Sequence, residues 1–215
     1  MTNASQAQDS RRWLVLDFDG TITELDLLDE VARRFGDPAV YRRVEDQLLA
    51  GKITLRECIE REFEPVRAPV GEVVVWALGE VSVRPGLREL VDLARARGWP
   101  AIVVSSGFHE LIEPVLAREG VELEVLANRL APDSQGWHVV WRDGRVCPIC
   151  RQPCKRASLP GGEVVYIGDG YSDRCAALAS SRVFATRGLA RYLDEQGRAY
   201  DPFADFFDVV RALDG

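Results

Sequence analysis

The apolar pattern of the chain predicts an α/β protein with a mainly parallel sheet, interrupted after its first strand by a small helical insertion. Four short apolar runs supply the sheet: Trp13 to Asp17, Pro100 to Ser105, Glu163 to Ile167 and Arg182 to Ala185. They are nearly continuous rather than alternating, as strands buried on both faces are. Each leads through a loop into a helix-like pattern, the alternation of an open sheet covered by helices. The stretch from about Leu25 to Val83 breaks that alternation and carries helical spacing throughout.

Within the insertion, Leu28, Val31, Ala32 and Phe35 form one helical stripe, and Val40, Val44 and Leu48 a second. Thr54 followed by Glu57 predicts a capping box opening a third helix, with Leu55, Ile59 and Phe63 inward. An insertion at this point can roof the carboxyl ends of the strands, where open α/β sheets hold their ligands. Beyond it, Leu87, Leu90, Val91 and Ala94 predict a helix stopping near Gly98. Leu111, Ile112, Val115 and Leu116 predict another, with Pro114 obscuring its start. From Asn128 to Lys155 the pattern is irregular. Trp137 to Trp141 alternates weakly and Asp143-Gly144 is a turn signal, which together predict a β-hairpin leading into a cysteine-bearing loop.

These elements divide the chain into a disordered tail at 1–12, a core at 13–24 and 84–215, and a helical cap at 25–83. A length of 215 residues supports one substantial core with a small appended unit. The formal charge of −7 argues against a nucleic-acid binder, which would carry a basic face. The apolar run Val73 to Leu78 is too short for a bilayer and is a candidate subunit interface in a monomer or homodimer. The first twelve residues lack the apolar core of a signal peptide, and five cysteines make no disulfide framework, so a cytoplasmic location is expected.

Four weak chemical signals lie along the chain. Asp17 ends the first apolar run, Asp19 follows two positions on, and Gly20-Thr21 turns the chain. Paired carboxylates at a strand end suit a hard divalent cation, yet alone they read equally as a solvated acidic turn. The second run ends at Ser105, with Ser106-Gly107 offering hydroxyl and backbone donors for phosphate oxygens, or simply a turn. Asp169 ends the third run, and Asp173 follows on the first turn of a helix, where an acid also serves as a cap. Lys155 lies between them in an arginine-rich loop, where a lone lysine is ordinarily solvated.

In this order the four signals become one. DFDGTIT, VVSSG, Lys155 and GDGYSD resemble the four successive motifs of the haloacid dehalogenase superfamily, and the likeness covers nearly the whole chain past residue 12. The resemblance implies a Rossmann-like core and a magnesium-dependent phosphatase. By it, Asp17 is the nucleophile and Asp19 the acid and base, with its carbonyl on the metal. Ser105 and Lys155 bind the phosphoryl group, helped by Gly20 and Ser106, while Asp169 and Asp173 complete or orient the metal site. Glu24, just past the first motif, is a candidate substrate contact or an exposed acid at a helix start.

LANRLAPDSQGW resembles phosphoserine-phosphatase-like members, and the helical insertion resembles their cap. Ser106 stands where those enzymes usually have glycine. CPICRQPCK followed by GDGYSD is more similar to the methionine-salvage 2-hydroxy-3-keto-5-methylthiopentenyl-1-phosphate phosphatases, with phosphocholine/phosphoethanolamine phosphatases sharing a comparable loop. The implied substrate is a small phosphorylated metabolite.

Cys147, Cys150 and Cys154 could hold a structural zinc with one more ligand from His138, Cys175 or elsewhere; free thiols and a disulfide compete with that reading. Cys58 fits packing, His109 a solvated or capping role, and Trp76, Trp99, Trp137 and Trp141 core or hairpin packing. Two other classes compete. A phosphoryl-accepting receiver module would need neither a cap nor an acid two positions after its aspartate. A zinc-binding interaction protein on a degenerate core would require a lost catalytic residue. A dehalogenase has no leaving oxygen for Asp19 to protonate.

Overall fold

A computed structural model describes residues 11–215. Residues 1–10, most of the expected tail, lie outside the described residues. Arg12, by contrast, already belongs to the first strand.

Among the described residues the sheet has seven strands: β1 (Arg12–Leu16), β2 (Ala101–Phe108), β3 (Glu124–Asp133), β4 (Gly136–Val140), β5 (Glu163–Gly168), β6 (Arg182–Ala185) and β7 (Asp201–Pro202). Their order is β4-β3-β2-β1-β5-β6-β7, parallel throughout except for the β3–β4 hairpin. Order reverses about β1: the chain leaves β1 toward β2 on one side and returns to β5 on the other. A crevice therefore opens at the carboxyl ends of β1, β2 and β5, the usual ligand position of an open α/β sheet.

Two expectations shift here. The second strand does not stop at Ser105. It runs on through Ser106 and Gly107 to Phe108, with its register against β3 broken between Val104 and Phe108. The hairpin turn falls at Asp133–Gly136 instead of Asp143-Gly144. Asp133 Oδ1 accepts the Gln135 N–H at 2.6 Å, and Gly136 lies at φ +134° against the Glu64 carbonyl, where a Cβ would come within 1.9 Å. Asp143 does turn the chain by accepting the Arg145 N–H at 2.8 Å, but no strand follows.

Four helices separate β1 from the rest: α1 (Leu27–Phe35), α2 (Pro38–Leu49), α3 (Leu55–Phe63) and α4 (Val70–Glu80). The Thr54–Glu57 capping box forms as expected, satisfying two end donors of α3. The chain enters and leaves this helical group side by side: Thr23 bridges Val83, and Arg84 N–H donates to the Ile22 carbonyl at 2.8 Å. Its apolar face is continuous with one face of the sheet, because Leu27, Val31, Phe63 and Val73 share a cluster with Leu16, Phe108 and Trp137. Phe63 meets Phe108 edge-on at 4.9 Å and stacks on Trp137 at 6.0 Å. Burying one such ring is worth about 1.5–3 kcal/mol, so the helices are anchored as well as tethered. On α4, Val73 and Ala77 are buried while Val75 is 72% exposed.

The remaining helices cover the sheet: α5 (Leu87–Ala96), α6 (His109–Arg118), α7 (Arg174–Ala179), α8 (Arg187–Glu195) and α9 (Phe206–Asp214). The second face buries Val15, Val104, Tyr166, Ala176, Val183 and Leu189. Among the described residues no helix is long and apolar enough to cross a membrane.

Candidate active site

Asp17 follows the last residue of β1, and its N–H continues the ladder to the Ile167 carbonyl at 2.9 Å. The next residues form a tight loop in which the Phe18 carbonyl accepts from Thr21, Ile22 and Thr23. Gly20 adopts φ +73°, and a Cβ there would meet Asp169 Oδ2 at 2.3 Å. Only glycine lets the first loop approach the third this closely. Its N–H is donated to the Leu25 carbonyl and to Thr23 Oγ1, each at 3.1 Å, so the Gly20 amide helps to shape this loop.

Lys155 opens a short 3₁₀ turn and is buried between two acids. Its Nζ donates to Asp17 Oδ1 and, at 2.7 Å, to Asp173 Oδ1. The lone lysine of the loop is thus a buried ion-pair partner and not surface. Asp173 is fully buried and both of its oxygens are engaged. Oδ1 also accepts the Tyr166 hydroxyl at 2.7 Å, and Oδ2 accepts the N–H groups of Asp169 and Gly170 at 3.0 and 2.9 Å. Asp169, just past β5, accepts from Thr21 Oγ1 at 3.5 Å and faces Arg187 Nη1 at 3.4 Å. Thr21 also donates to Asp17 Oδ2 at 3.1 Å. Ligand oxygens of Asp17, Asp169 and Asp173 lie within 4.8 Å of one another.

Asp19 stands beside this group. Its Oδ2 accepts the Ser105 hydroxyl at 3.1 Å, while Ser105 Oγ accepts the Gly107 N–H at 2.8 Å. Ser106 turns its carbonyl to Asn128, which donates at 2.8 Å.

Crowding of buried acids shows in their proton affinities. Burial, then Asp173, holds the Asp17 carboxyl well above the ordinary carboxylate range, with Lys155 opposing. Burial lifts Asp19 to about 6 against the pull of Lys155 and the Ser105 hydrogen bond. Asp169 is raised to about 6 by burial and by Asp173. Burial works against the Lys155 ammonium, but Asp17 and Asp173 outweigh it and leave its pKa above the ordinary value. A hard divalent cation suits this donor set, since it would relieve repulsion among carboxylates that a single lysine only partly balances.

Beside Ser105 and Lys155 lies a cleft of about 320 Å³, whose lining residues do not include Asp17, Asp19, Asp169 or Asp173. Ser105, Ser106 and Lys155 contribute to its wall. Leu55, Arg56 and Ile59 reach it from α3, Trp141 and Arg142 from beyond β4, and Cys150 and Cys154 from the loop. Trp141 packs against the main core cluster, as expected, and also contributes to this wall: Arg56 stacks on its ring at 4.6 Å, and its Nε1 donates to Glu60 at 2.7 Å. Glu24 is exposed and is not among the lining residues; its N–H pairs with Ser82 and its carbonyl with Arg187. His109 bonds Glu113 at 2.7 Å and also stays outside the cleft.

Three supporting residues escaped the motif reading. Arg84 is buried and donates to the carbonyls of Gly20, Thr21 and Ala204 at 2.8, 2.9 and 2.6 Å. Arg187, at φ +48°, donates to the carbonyls of Glu24 and Gly20 as well as facing Asp169. Asp26 caps α1, and burial followed by Asp19 raises its pKa well above normal. A lone arginine or a capping aspartate carries no sequence signature of such a role.

Carboxylates at the ends of the central strands with a buried lysine between them define an α/β protein with an acidic site at the carboxyl edge of its sheet. Residues 14–178 match the model of the haloacid dehalogenase-like hydrolase family, and the chain belongs to that family. It is similar to the 2-hydroxy-3-keto-5-methylthiopentenyl-1-phosphate phosphatase of Geobacillus kaustophilus, 31% identical over 93% of this chain and 94% of that one. Among solved structures, phosphoserine phosphatase from T. onnurineus superposes with a TM-score of 0.70 at 21% identity, covering 95% of this chain and 94% of the other. A phospho-aspartyl intermediate analogue of phosphoserine phosphatase gives 0.72 at 18% identity, covering 94% and 99%. The protein is a phosphatase of this family.

Proposed function

We propose that the protein is a magnesium-dependent phosphomonoesterase that moves the phosphoryl group of a small metabolite first to Asp17 and then to water. The observation that carries this reading is the pairing of Asp17 with Lys155 beside the cleft, with Asp19 alongside on Ser105. An Asp17 oxygen attacks phosphorus while the ester oxygen leaves with the Asp19 proton. Asp19, now ionised, takes a proton from water as that water attacks the aspartyl-phosphate, freeing Asp17 and inorganic phosphate. A carboxyl raised to about 6 can serve in both forms near neutrality. Lys155 and the Ser105 hydroxyl hold the phosphoryl oxygens, and Asp173, with both oxygens engaged, positions Lys155 instead of ligating the metal. Magnesium would be held by Asp17, Asp169 and the main-chain carbonyl of Asp19, neutralising charge where two anions meet.

In this reading residues 13–24 and 84–215 form the catalytic core and 25–83 the cap that excludes water and selects the substrate. The methionine-salvage phosphate is the favoured substrate. Leu55, Ile59, Trp141 and Ile149 offer an apolar wall for an uncharged tail, as the relative in Geobacillus kaustophilus suggests. The cationic rim of Arg56, Arg142 and Arg174 disfavours phosphocholine and phosphoethanolamine, whose tails are cations. Phosphoserine is the second reading, because the same arginines could take its carboxylate. The test is phosphate release from these four esters with magnesium, with Asp17→Asn as control. Fastest turnover of the salvage ester supports the reading. Preference for phosphoserine replaces the substrate, and magnesium-independent release by Asp17→Asn removes the mechanism.

A further inference from the structure

Beside the cleft, four cysteines from two separate segments converge. The sulfur atoms of Cys147, Cys150, Cys154 and Cys175 all lie within 4.8 Å of one another. We propose that these four thiols form a structural zinc site, which pins the turn bearing Lys155 to the helix that follows the Asp169–Asp173 loop.

Geometry and chemistry both favour it. A tetrahedral Zn²⁺ with Zn–S bonds of about 2.3 Å separates its sulfurs by about 3.8 Å, so the four thiols need only a small contraction. The first pair sits in a knuckle closed on itself: Val146 bridges Pro153, Cys147 N–H donates to the Gln152 carbonyl at 2.9 Å, and Arg151 N–H donates to the Cys147 carbonyl at 3.0 Å. Arg151 takes φ +60° to make that turn, and the Ile149 N–H points at Cys147 Sγ from 3.4 Å. An amide directed at sulfur in this way is suited to a thiolate ligand. His138, the alternative fourth ligand, is committed to Asp133 at 3.1 Å, whereas Cys175 completes the set.

Zinc replaces the four thiol protons and leaves a centre of charge −2. Arg151, Arg156 and Arg174 flank the ligands in the chain. Arg174, next to Cys175, stacks on Tyr171 at 4.4 Å and on Tyr192 at 4.6 Å. Four soft thiolates select zinc over magnesium, whereas the carboxylates of the neighbouring site are oxygen ligands that suit magnesium. The location gives the site its purpose. Cys154 immediately precedes Lys155, and Cys175 lies two residues past Asp173, so the metal would bind together the two segments that the Lys155–Asp173 ion pair spans. With Cys150, Cys154 and Cys175 on its wall, the cleft would also gain a rigid side.

The test is metal content of the full chain, expressed with zinc and purified under reductant without chelator. About one zinc per chain is expected. Cobalt loading should give the visible absorption of a tetrahedral thiolate site, and a Cys150→Ser/Cys175→Ser variant should lose the zinc while Cys58→Ser keeps it. Should the double variant fail to fold, mercurial titration of the native protein must release zinc as the four thiols are blocked. Iron in place of zinc, fewer than about one zinc per ten chains, or undiminished zinc in the double variant would overturn the proposal. None of these readouts depends on phosphatase activity.

Discussion

The floor of the site and its mouth are built on opposite principles. On the floor, Asp17, Lys155, Asp173 and Tyr166 are buried and each polar group has a fixed partner. Asp17 directly follows β1 and Tyr166 lies within β5, so the sheet sets their positions, and Lys155 and Asp173 meet them from two short 3₁₀ turns. The mouth is assembled from α3, the segment after β4 and the cysteine loop, and its side chains are long, stacked and partly exposed. In the proposed mechanism this contrast separates the chemistry on the floor from substrate choice at the mouth.

Breaking the floor should cost most. Asp17→Asn should lower kcat by about 10⁴-fold or more, since it removes a group that acts only as a unit with its neighbours. Circular dichroism should find the fold intact, because the amide still accepts from Lys155 and one crowded negative charge is gone. Lys155→Ala should cost activity and also about 3–5 kcal/mol of stability, as it leaves buried Asp17 and Asp173 without their cation. Urea unfolding would check it, and a variant as stable as the parent would mean that the acids were already neutral.

Asp169 gives a subtler test in magnesium-free buffer. Its carboxyl titrates near 6 in the folded protein against 3.8 for the ordinary group. The folded state therefore binds the extra proton between those values, and the resulting stability is lost as pH rises through about 6. The melting temperature of the parent should fall relative to Asp169→Asn between about pH 4 and about pH 7, and magnesium should reverse that trend. A constant difference across the range would contradict the crowding of acids.

Changes at the mouth should move KM. Trp141→Ala should raise it about tenfold, equivalent to about 1.4 kcal/mol, with kcat nearly unchanged. A matching loss in kcat would mean that Trp141 supports the floor as well. Smallest of all, Glu24→Gln should leave turnover unaltered and stability within about 0.5 kcal/mol, measured by steady-state kinetics and thermal melting.

The same contrast explains what the sequence disclosed. Asp17, Asp19 and Asp169 lie just past strand ends and Ser105 within β2, so local order along the chain carries their spatial order, while Lys155 comes from the long segment between β4 and β5. The helical insertion was legible from its 3.6-residue stripes and the Thr54–Glu57 box. Strand β3 and its hairpin turn were not, because Asp143-Gly144 offers a stronger local turn signal than Asp133–Gly136. What fixes the true turn is the approach of Gly136 to Glu64, a contact between residues distant in sequence. Arg84 and Arg187 were hidden for the same reason, since each acts on a loop far away in the chain. Likewise, nothing near Asp173 foretells that its oxygens are spent on Lys155, Tyr166 and two amides.

In the proposed mechanism the phosphoryl group rests on Asp17. Enzyme turning over its substrate with magnesium would be quenched in acid, reduced with borohydride and digested, and the peptide containing residue 17 analysed by mass spectrometry. Homoserine at position 17 is expected only when substrate and magnesium are both present, and none in Asp17→Asn. Full turnover with residue 17 unmodified, or reduction at another acid, would contradict it.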